Sequence, residues 1–214
     1  MRTLLKINGQ SAVDAPLMFT TILLIALLPF NFSSLSSATT IFDIASSSPD
    51  QNVYQTLWQE AAQHIQTEED WSNLASFANM PYTESAAKES LRLNPSQTCA
   101  LNQTVVQESG LTLPSGQHVA KGTWLAVASM TIHHDDRFYP EAETYKPFRF
   151  VKGVSRTNAA GDSTDAALDK PVVSYIVTHY DIEPLTARPK NWEIADTVLP
   201  PQDAVVRVRR VPGR

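Results

Sequence analysis

The sequence predicts a mainly α-helical protein with a small antiparallel β-sheet. Apolar residues recur at helical spacing through much of residues 17–93, whereas residues 101–130 contain short β-favouring runs separated by turn residues. The chain has 214 residues, of which 43% are hydrophobic, and this is enough for one sizeable core. We therefore expect a single domain over residues 1–214.

The first predicted element is a long apolar helix over residues 17–48. Its first part, the run LMFTTILLIALLPFNF from Leu17 to Phe32, carries no charge, and Pro29 predicts a kink within it. A membrane-spanning helix needs about 20 consecutive apolar residues, and this run is shorter. We interpret it as a buried core helix, and association with a membrane through the same run is the alternative.

Further helices are predicted over residues 51–93. In the helix from Gln51 to His64, apolar residues recur at steps of four along one face, which indicates an amphipathic helix. These residues are Val53, Leu57, Ala61 and Ile65. Asp50, which follows the helix-terminating Pro49, is expected to cap this helix.

Two more helices in this region have recognisable start signals. In TEED, Thr67 and Asp70 are spaced as a capping box, which predicts the start of a short helix. The next helix, in MPYTESAAKESLRLNP, is expected to begin at Pro81 and to end before Pro95.

The second half of the chain is predicted to be less regular. Turn signals separate short strands in residues 101–130 and predict the small antiparallel sheet. Residues 131–150 are polar and aromatic and contain prolines, which predicts an irregular but packed meander. Residues 151–170 have few large apolar side chains and are interpreted as a loose surface loop. Residues 171–214 are expected to form an apolar helix or strand, proline-rich turns and terminal strands.

The charge and the cysteine count exclude some classes of function. The formal net charge is -5 and the lysines and arginines are scattered singly, so the basic surface that nucleic-acid binding requires is absent from the sequence. Only the terminal RVRRVPGR is basic, and we interpret it as a solvated strand. The single cysteine, Cys99, excludes an internal disulfide and a metal site built from several cysteines.

The segment HHDD, from His133 to Asp136, contains residue types that bind metal ions. Neighbouring residues of an extended segment point to opposite faces, so at most alternate members can reach one ion. A surface role is therefore favoured for this segment, and no metal ligand is assigned.

Several motifs occur in a fixed order: ESLR in a predicted helix, LPSG and AKGT in the sheet, and FYPEAETYKPFRF in the meander. In this order and at this spacing they resemble the carboxyl-terminal half of a cytochrome P450, most closely those of fungal secondary metabolism. The resemblance runs from about Leu17 to Arg210 and implies a partial cytochrome P450 fold. For an active member it also implies haem, a P450 reductase, a small organic substrate and a place on the cytoplasmic face of the endoplasmic reticulum.

The resemblance further implies a structural charge triad of Glu89, Arg92 and Arg149. Arg92 follows Glu89 by three positions and so lies on the same side of the helix, and Arg149 belongs to the PFRF segment. A guanidinium can meet a carboxylate with two parallel hydrogen bonds, so the triad would lock the helix to the meander. The alternative is an exposed helical pair worth under ~1 kcal/mol.

The long apolar helix resembles the family's helix that crosses the haem face. There the family usually carries an acid or a histidine, followed by threonines that help to deliver protons to bound oxygen. In this sequence the place falls on NFSS and includes Asn31 and Ser33. An asparagine cannot relay a proton as a carboxylate or an imidazole can, so we interpret both as degenerate oxygen-activation positions.

The main departure from the family concerns the axial ligand of the haem iron. A cytochrome P450 needs a cysteine thiolate, whose sulfur favours O–O cleavage, and carries it in a glycine-containing loop after the PFRF segment. Between Phe150 and Thr178 this chain contains Gly153 and Gly161 but no cysteine. The ligand loop and much of the following helix are interpreted as deleted, and this chain is not expected to bind haem.

No other residue is predicted to replace that ligand. Cys99 is interpreted as a small buried apolar residue. Val211 occupies the sulfur position in the terminal VPGR, which comes after the usual end of the fold. Asn102 and Gln103 stand where the family often supplies a basic residue to a haem propionate.

Three hypotheses for function follow. The first is a truncated cytochrome P450-like protein without monooxygenase activity, in which no catalytic or cofactor-binding residue is assigned. The second is an active haem-thiolate monooxygenase of which this sequence is an incomplete gene model or a splice form. The third is a small membrane-associated or partner-binding protein that reuses the remaining fold.

Overall fold

Helices form most of the structure. The computed structural model describes residues 34–151 and 164–211 of the chain. The α-helices within these residues are α1, described over residues 34–45, α2 over Val53–His64, α3 over Pro81–Leu93, α4 over Ser129–His133 and α5 over Thr164–His179. Short 3-10 turns lie between the first three helices, at Pro49–Gln51, Glu68–Ser72 and Leu74–Phe77.

The strands of the described residues pair in twos, and every pair is antiparallel. β1 (Ala100–Thr104) pairs with β4 (Trp124–Val127), and β2 (Leu111–Thr112) pairs with β3 (His118–Val119). β5 (Tyr180–Ile182) pairs with β8 (Val208–Arg210), and β6 (Trp192–Ile194) pairs with β7 (Thr197–Leu199). The predicted class, mainly α with small antiparallel sheet structure, is confirmed, although residues 101–130 form two separate strand pairs.

The core lies where α2, α3 and α5 pack together. Val53, Leu57 and Ala61 are buried there, which confirms the face of α2 that helical spacing predicted. The other buried members of this core are Ile44, Phe77, Met80, Ala86, Val173 and Val177. Burial of a valine or leucine side chain contributes about 1.5–3 kcal/mol, so this cluster stabilises the packing of α2 and α5, with Ala86 as the contribution of α3.

The start of α2 differs from the prediction. Pro49, Asp50 and Gln51 form a 3-10 turn, and the N-cap of α2 is Asn52 rather than Asp50. Pro49 fixes its own φ near the helical value, so the chain enters a tight turn first and the cap moves two residues along. Asn52 then takes a φ of 49°, in the left-handed region that asparagine tolerates better than most residues.

The 3-10 turn Glu68–Ser72 opens with the predicted capping box, which is confirmed. The backbone N–H of Thr67 donates to the carboxylate of Asp70 at 2.8 Å. The element that the box opens is a 3-10 turn instead of an α-helix. It leads the chain from α2 towards the start of α3.

The prediction of a loop over residues 151–170 is wrong for the last part of that range, because α5 begins at Thr164. Asp169 is fully buried and accepts hydrogen bonds from the hydroxyls of Ser36 and Ser37, each at 2.7 Å. A polar side chain can be buried when it has such partners. Low apolar content therefore does not make this segment a surface loop.

The length of α5 also corrects the prediction, because α5 has 16 residues and the interpretation that much of this helix is deleted is wrong. The Nζ atom of Lys170 lies 2.6 Å from the carboxylate of Glu84 on α3 and donates to the carbonyl of Phe77 at 3.3 Å. These contacts hold the helix in place although Pro171 lies inside it and removes one backbone donor.

The apolar run from Leu17 to Phe32 lies outside the described residues, so its interpretation as a buried helix stays a prediction. None of the helices in residues 34–151 and 164–211 is long and apolar enough to cross a membrane.

Candidate functional site

The predicted charge triad begins on α3 with a buried ion pair. Arg92 Nε lies 2.9 Å from Glu89 Oε2, and Arg92 Nη2 lies 2.9 Å from Glu89 Oε1. Glu89 is 0% exposed and Arg92 is 3% exposed. The two residues therefore form a bidentate, buried pair, and the alternative of an exposed pair is wrong.

Arg149 reaches the same carboxylate from the meander. Its Nε lies 3.0 Å from each oxygen of Glu89, and its Nη1 donates to the carbonyl of Pro140 at 2.7 Å. The backbone N–H of Lys146 also donates to Glu89 Oε1, at 3.0 Å. The structure thus brings Glu89, Arg92 and Arg149 together between α3 and the meander.

The meander needs these contacts because residues 134–151 contain turns and bends but no strand. Side chains from the helices satisfy backbone groups that a strand ladder would otherwise pair. The N–H of Phe150 donates to the hydroxyl of Ser85 at 2.9 Å, and Gln51 Nε2 donates to the carbonyl of Tyr145 at 3.1 Å. The irregular segment is consequently fixed against the helices.

Two guanidinium groups on one carboxylate leave a positive charge that the surroundings must accommodate. Arg92 Nη1 donates to the carbonyl of His133 at 2.5 Å, and the Cζ atom of Arg92 lies 5.0 Å from the centre of the Tyr139 ring. Burial, followed by the charge of Arg92, lowers the pKa of His133. That imidazole therefore stays neutral near pH 7 and adds no further positive charge.

The triad offers no reacting group to a substrate. Both oxygens of Glu89 accept hydrogen bonds from Arg92 and Arg149, so they are not placed to take a proton from a ligand. Neither arginine can act as an acid near pH 7, because a guanidinium stays charged. The arrangement can hold the helix and the meander together, and it has no acid, base or nucleophile for catalysis.

A second network, which had no signal in the sequence, connects the buried Asp43 of α1 to the partly buried carboxyl-terminal segment. The carboxylate of Asp43 pairs with the guanidinium of Arg188 and accepts from Asn94 Nδ2 at 3.2 Å. Asn191 donates to Asn94 Oδ1 at 2.7 Å and accepts from Arg188 at 2.9 Å. Burial raises the pKa of Asp43 to about 6, although the charge of Arg188 opposes that shift.

Glu60 is a further buried residue with a defined task, since it caps α3 from α2. Its carboxylate accepts the backbone N–H groups of Tyr82 at 2.8 Å and Thr83 at 2.7 Å. The N-cap residue Met80 provides no side-chain cap of its own. A sequence signal for this role existed, because Glu60 follows Leu57 by three positions and so lies on the apolar face of α2.

The other predicted positions that the structure describes take no part in the triad. Asn31 and Ser33 fall outside the described residues. Cys99 is only partly buried, so its interpretation as a buried apolar residue is wrong; the turn before β1 keeps it near the surface. Asn102 and Gln103 are exposed on β1.

The histidines of the HHDD segment contact the protein itself. His134 Nδ1 lies 2.9 Å from the carboxylate of Glu143, and its Nε2 lies 3.0 Å from the carbonyl of Leu93. Both ring nitrogens of His134 are therefore engaged. In the part of the chain that the structure describes, no three histidine, cysteine, aspartate or glutamate side chains are grouped as metal ligands.

Comparison with known sequences identifies the family. The family model "Cytochrome P450" matches residues 37–161. The chain is 36% identical over 207 residues to cytochrome P450 monooxygenase polB of Polytolypa hystricis (strain UAMH7299). This alignment covers 82% of this chain and 39% of the relative. The chain is also 35% identical over 207 residues to cytochrome P450 monooxygenase efuH of Hormonema carpetanum. That alignment covers 82% of this chain and 36% of the relative.

Solved structures share the fold. A crystal structure of a cytochrome P450 (CYP102L1) matches with a TM-score of 0.68 at 19% identity, over 94% of this chain and 47% of that protein. A zebra fish cytochrome P450 with abiraterone matches with a TM-score of 0.63 at 19% identity, over 84% of this chain and 45% of that protein. The architecture is thus a partial cytochrome P450 fold. The chain belongs to the cytochrome P450 family, and it spans less than half the length of each of these four proteins.

The family implies a haem cofactor, and the residues of this chain do not fit it. The haem iron of the family takes a cysteine thiolate, carried between the meander and the helix that follows it. No cysteine lies between Phe150 and Thr178. Cys99 precedes β1 instead, and is separated in sequence from the expected position by the whole β1–β4 region and the meander.

Proposed function

We propose that this chain is a truncated cytochrome P450-like protein that lacks the haem-thiolate site and has no monooxygenase activity. The observation that carries the proposal is the absence of a cysteine from the interval between the meander and the end of α5. Without a thiolate, haem iron lacks the ligand that favours O–O cleavage.

The contacts of the retained residues support a structural role for them. The carboxylate of Glu89 accepts hydrogen bonds from both arginines of the triad, and that of Glu60 accepts one from the backbone at the start of α3. These carboxylates stabilise the packing of α2, α3 and the meander. Neither one is placed as an acid or a base for a substrate.

The reduced carbon monoxide spectrum tests the proposal without knowledge of a substrate. The purified chain is mixed with haem, reduced and exposed to carbon monoxide, beside a complete cytochrome P450 monooxygenase as a positive control. We expect a thiolate-type Soret band from the control and none from this chain. Such a band from this chain would contradict the proposal.

The alternative is an active haem-thiolate monooxygenase of fungal secondary metabolism, of which this sequence is an incomplete gene model or a splice form. The 16-residue length of α5 favours it, because the helix after the missing loop is preserved. In that case the complete protein would bind haem, work with a P450 reductase and act on a small organic substrate. It would lie on the cytoplasmic face of the endoplasmic reticulum.

Transcript sequencing across codons 150 to 171 separates the two functions. A message with an inserted segment that encodes a cysteine in a glycine-containing loop would support the active enzyme. An uninterrupted message over these codons would exclude it.

A further inference from the structure

A cleft with aromatic walls lies between α2, the Glu68–Ser72 turn and the end of α5. Its volume is about 580 Å³, within the range of small-molecule sites. The rings of Trp58, Trp71 and His179 line it, and the carboxylate-bearing Glu68 lies at its edge. We call it the aromatic cleft; it shares no residue with the charge triad.

Ring contacts hold the walls of the aromatic cleft in place. Trp71 meets Tyr175 edge to face with ring centres 5.4 Å apart, and its centre lies 5.5 Å from that of His179. Tyr175 and His179 stack at 4.2 Å. Because Trp71 and His179 pack on neighbouring rings, this wall of the cleft is in place before a ligand arrives, and it needs little ordering on binding.

Three polar groups of the residues that line the cleft are already hydrogen-bonded within the protein. The hydroxyl of Thr67 donates to the carboxylate of Asp70 at 3.0 Å, and the hydroxyl of Thr178 donates to the carbonyl of Ser174 at 2.7 Å. His179 Nδ1 lies 3.0 Å from a backbone carbonyl, to which it donates. These two hydroxyls and this ring nitrogen are therefore engaged before a ligand arrives.

The charge at the cleft is negative. Glu68, Glu69 and Asp70 follow one another in the turn at its rim, and Asp70 is used in the capping box. Among the described residues that line the cleft there is no lysine or arginine, and Glu68 makes no ion pair with any described residue. Aromatic faces attract cations, and the indole of tryptophan does so most strongly.

We infer that the aromatic cleft binds a small organic cation through its quaternary ammonium group. Such a group donates no hydrogen bond, so it does not need the hydroxyls of Thr67 and Thr178, which are already engaged. Its positive charge is complementary to the indole faces of Trp58 and Trp71 and to the carboxylate of Glu68. This binding goes beyond the proposed function and does not depend on haem.

A matched pair of probes tests the inference by NMR. Choline carries the quaternary ammonium group, and 3,3-dimethylbutan-1-ol is its neutral isostere. The chain has four tryptophans, whose indole signals are assigned with single Trp→Phe variants. We expect choline to shift the signals of Trp58 and Trp71 and to leave Trp124 and Trp192 unchanged, whereas the isostere shifts none.

Other patterns would overturn the inference. They are the absence of any shift with choline, equal shifts with the neutral isostere, and shifts of all four indole signals. The last pattern would mean non-specific adsorption, because Trp124 is 76% exposed and Trp192 is 46% exposed, both away from the cleft.

A pair of variants in one turn isolates the role of the carboxylate. Glu68→Gln is expected to weaken choline binding about threefold, the range of one exposed charge contact. Glu69→Gln is the control, since Glu69 lies in the same turn and does not line the cleft. An equal effect of the two changes, or no effect of Glu68→Gln, would contradict the inference.

Discussion

Arg149 Nε lies 3.0 Å from both carboxylate oxygens of Glu89, although the two residues are 60 positions apart in the sequence. This contact joins α3 to the meander. Glu89 is 0% exposed, so protein groups rather than bulk water balance its charge. A buried carboxylate without full pairing is costly, so the stability of this region depends on the contact.

Arg149→Ala is expected to lower the free energy of unfolding by about 3 kcal/mol, the scale for removal of one partner from a buried ion pair. The change leaves Glu89 with Arg92 and the backbone N–H of Lys146, and it also removes the donor to the carbonyl of Pro140. Urea unfolding followed by circular dichroism measures the loss.

Arg137→Ala is the matched control for that experiment. Arg137 pairs with Asp135 at the surface, and its side chain is 83% exposed. We expect no measurable change in stability from this variant. If Arg149→Ala were no more destabilising than Arg137→Ala, the structural role of the triad would be refuted.

The buried carboxyl of Asp43 predicts a pH dependence of stability. Its pKa in the folded protein is about 6, raised by burial from an ordinary value of 3.8. The folded state therefore binds this proton more tightly than the unfolded state does. The stability that the protonated carboxyl contributes is fully present below about pH 3.8 and is lost as the pH rises through about 6.

Asp43→Asn is expected to flatten the change in unfolding free energy between about pH 4 and pH 6, because the side chain no longer titrates. Urea unfolding of the variant and of the unchanged protein at several pH values checks this. Asp50→Asn, in the 3-10 turn before α2, serves as the control. A variant at Asp43 that kept the original pH profile would be inconsistent with a raised pKa.

Glu60→Ala is expected to cost about 2 kcal/mol of unfolding free energy, because the N–H groups of Tyr82 and Thr83 lose a charged acceptor. Glu60→Gln should cost less, since an amide oxygen still accepts a hydrogen bond. Gln63→Ala, at an exposed position of the same helix, is the control. Equal stability of the Glu60→Ala and Gln63→Ala variants would exclude the capping role.

Local patterns in the sequence predicted the parts of the fold that local interactions decide. The spacing of Val53, Leu57 and Ala61 identified the buried face of α2, and the spacing of Thr67 and Asp70 identified a capping box. Both depend on residues within one or two turns of each other. The helical period and the cap geometry are sufficient to recognise them.

Contacts between distant segments could not be predicted in the same way. Asp43 and Arg188 are 145 positions apart, and neither residue differs locally from a surface charge. Few large apolar side chains precede Pro171, which predicts a loop, and the hydroxyls of Ser36 and Ser37 that bond to Asp169 belong to the distant α1. Such pairs become visible only when the tertiary structure places them together.

The central claim is that this chain has no thiolate ligand for haem iron, and the reduced carbon monoxide spectrum tests it most directly. The spectrum is recorded with added haem for the unchanged protein and for Cys99→Ala, the variant without any sulfhydryl group. We expect the two spectra to be the same and to lack a thiolate-type Soret band. A thiolate-type band that is present in the unchanged protein and lost in Cys99→Ala would contradict the claim, because Cys99 would then bind the iron.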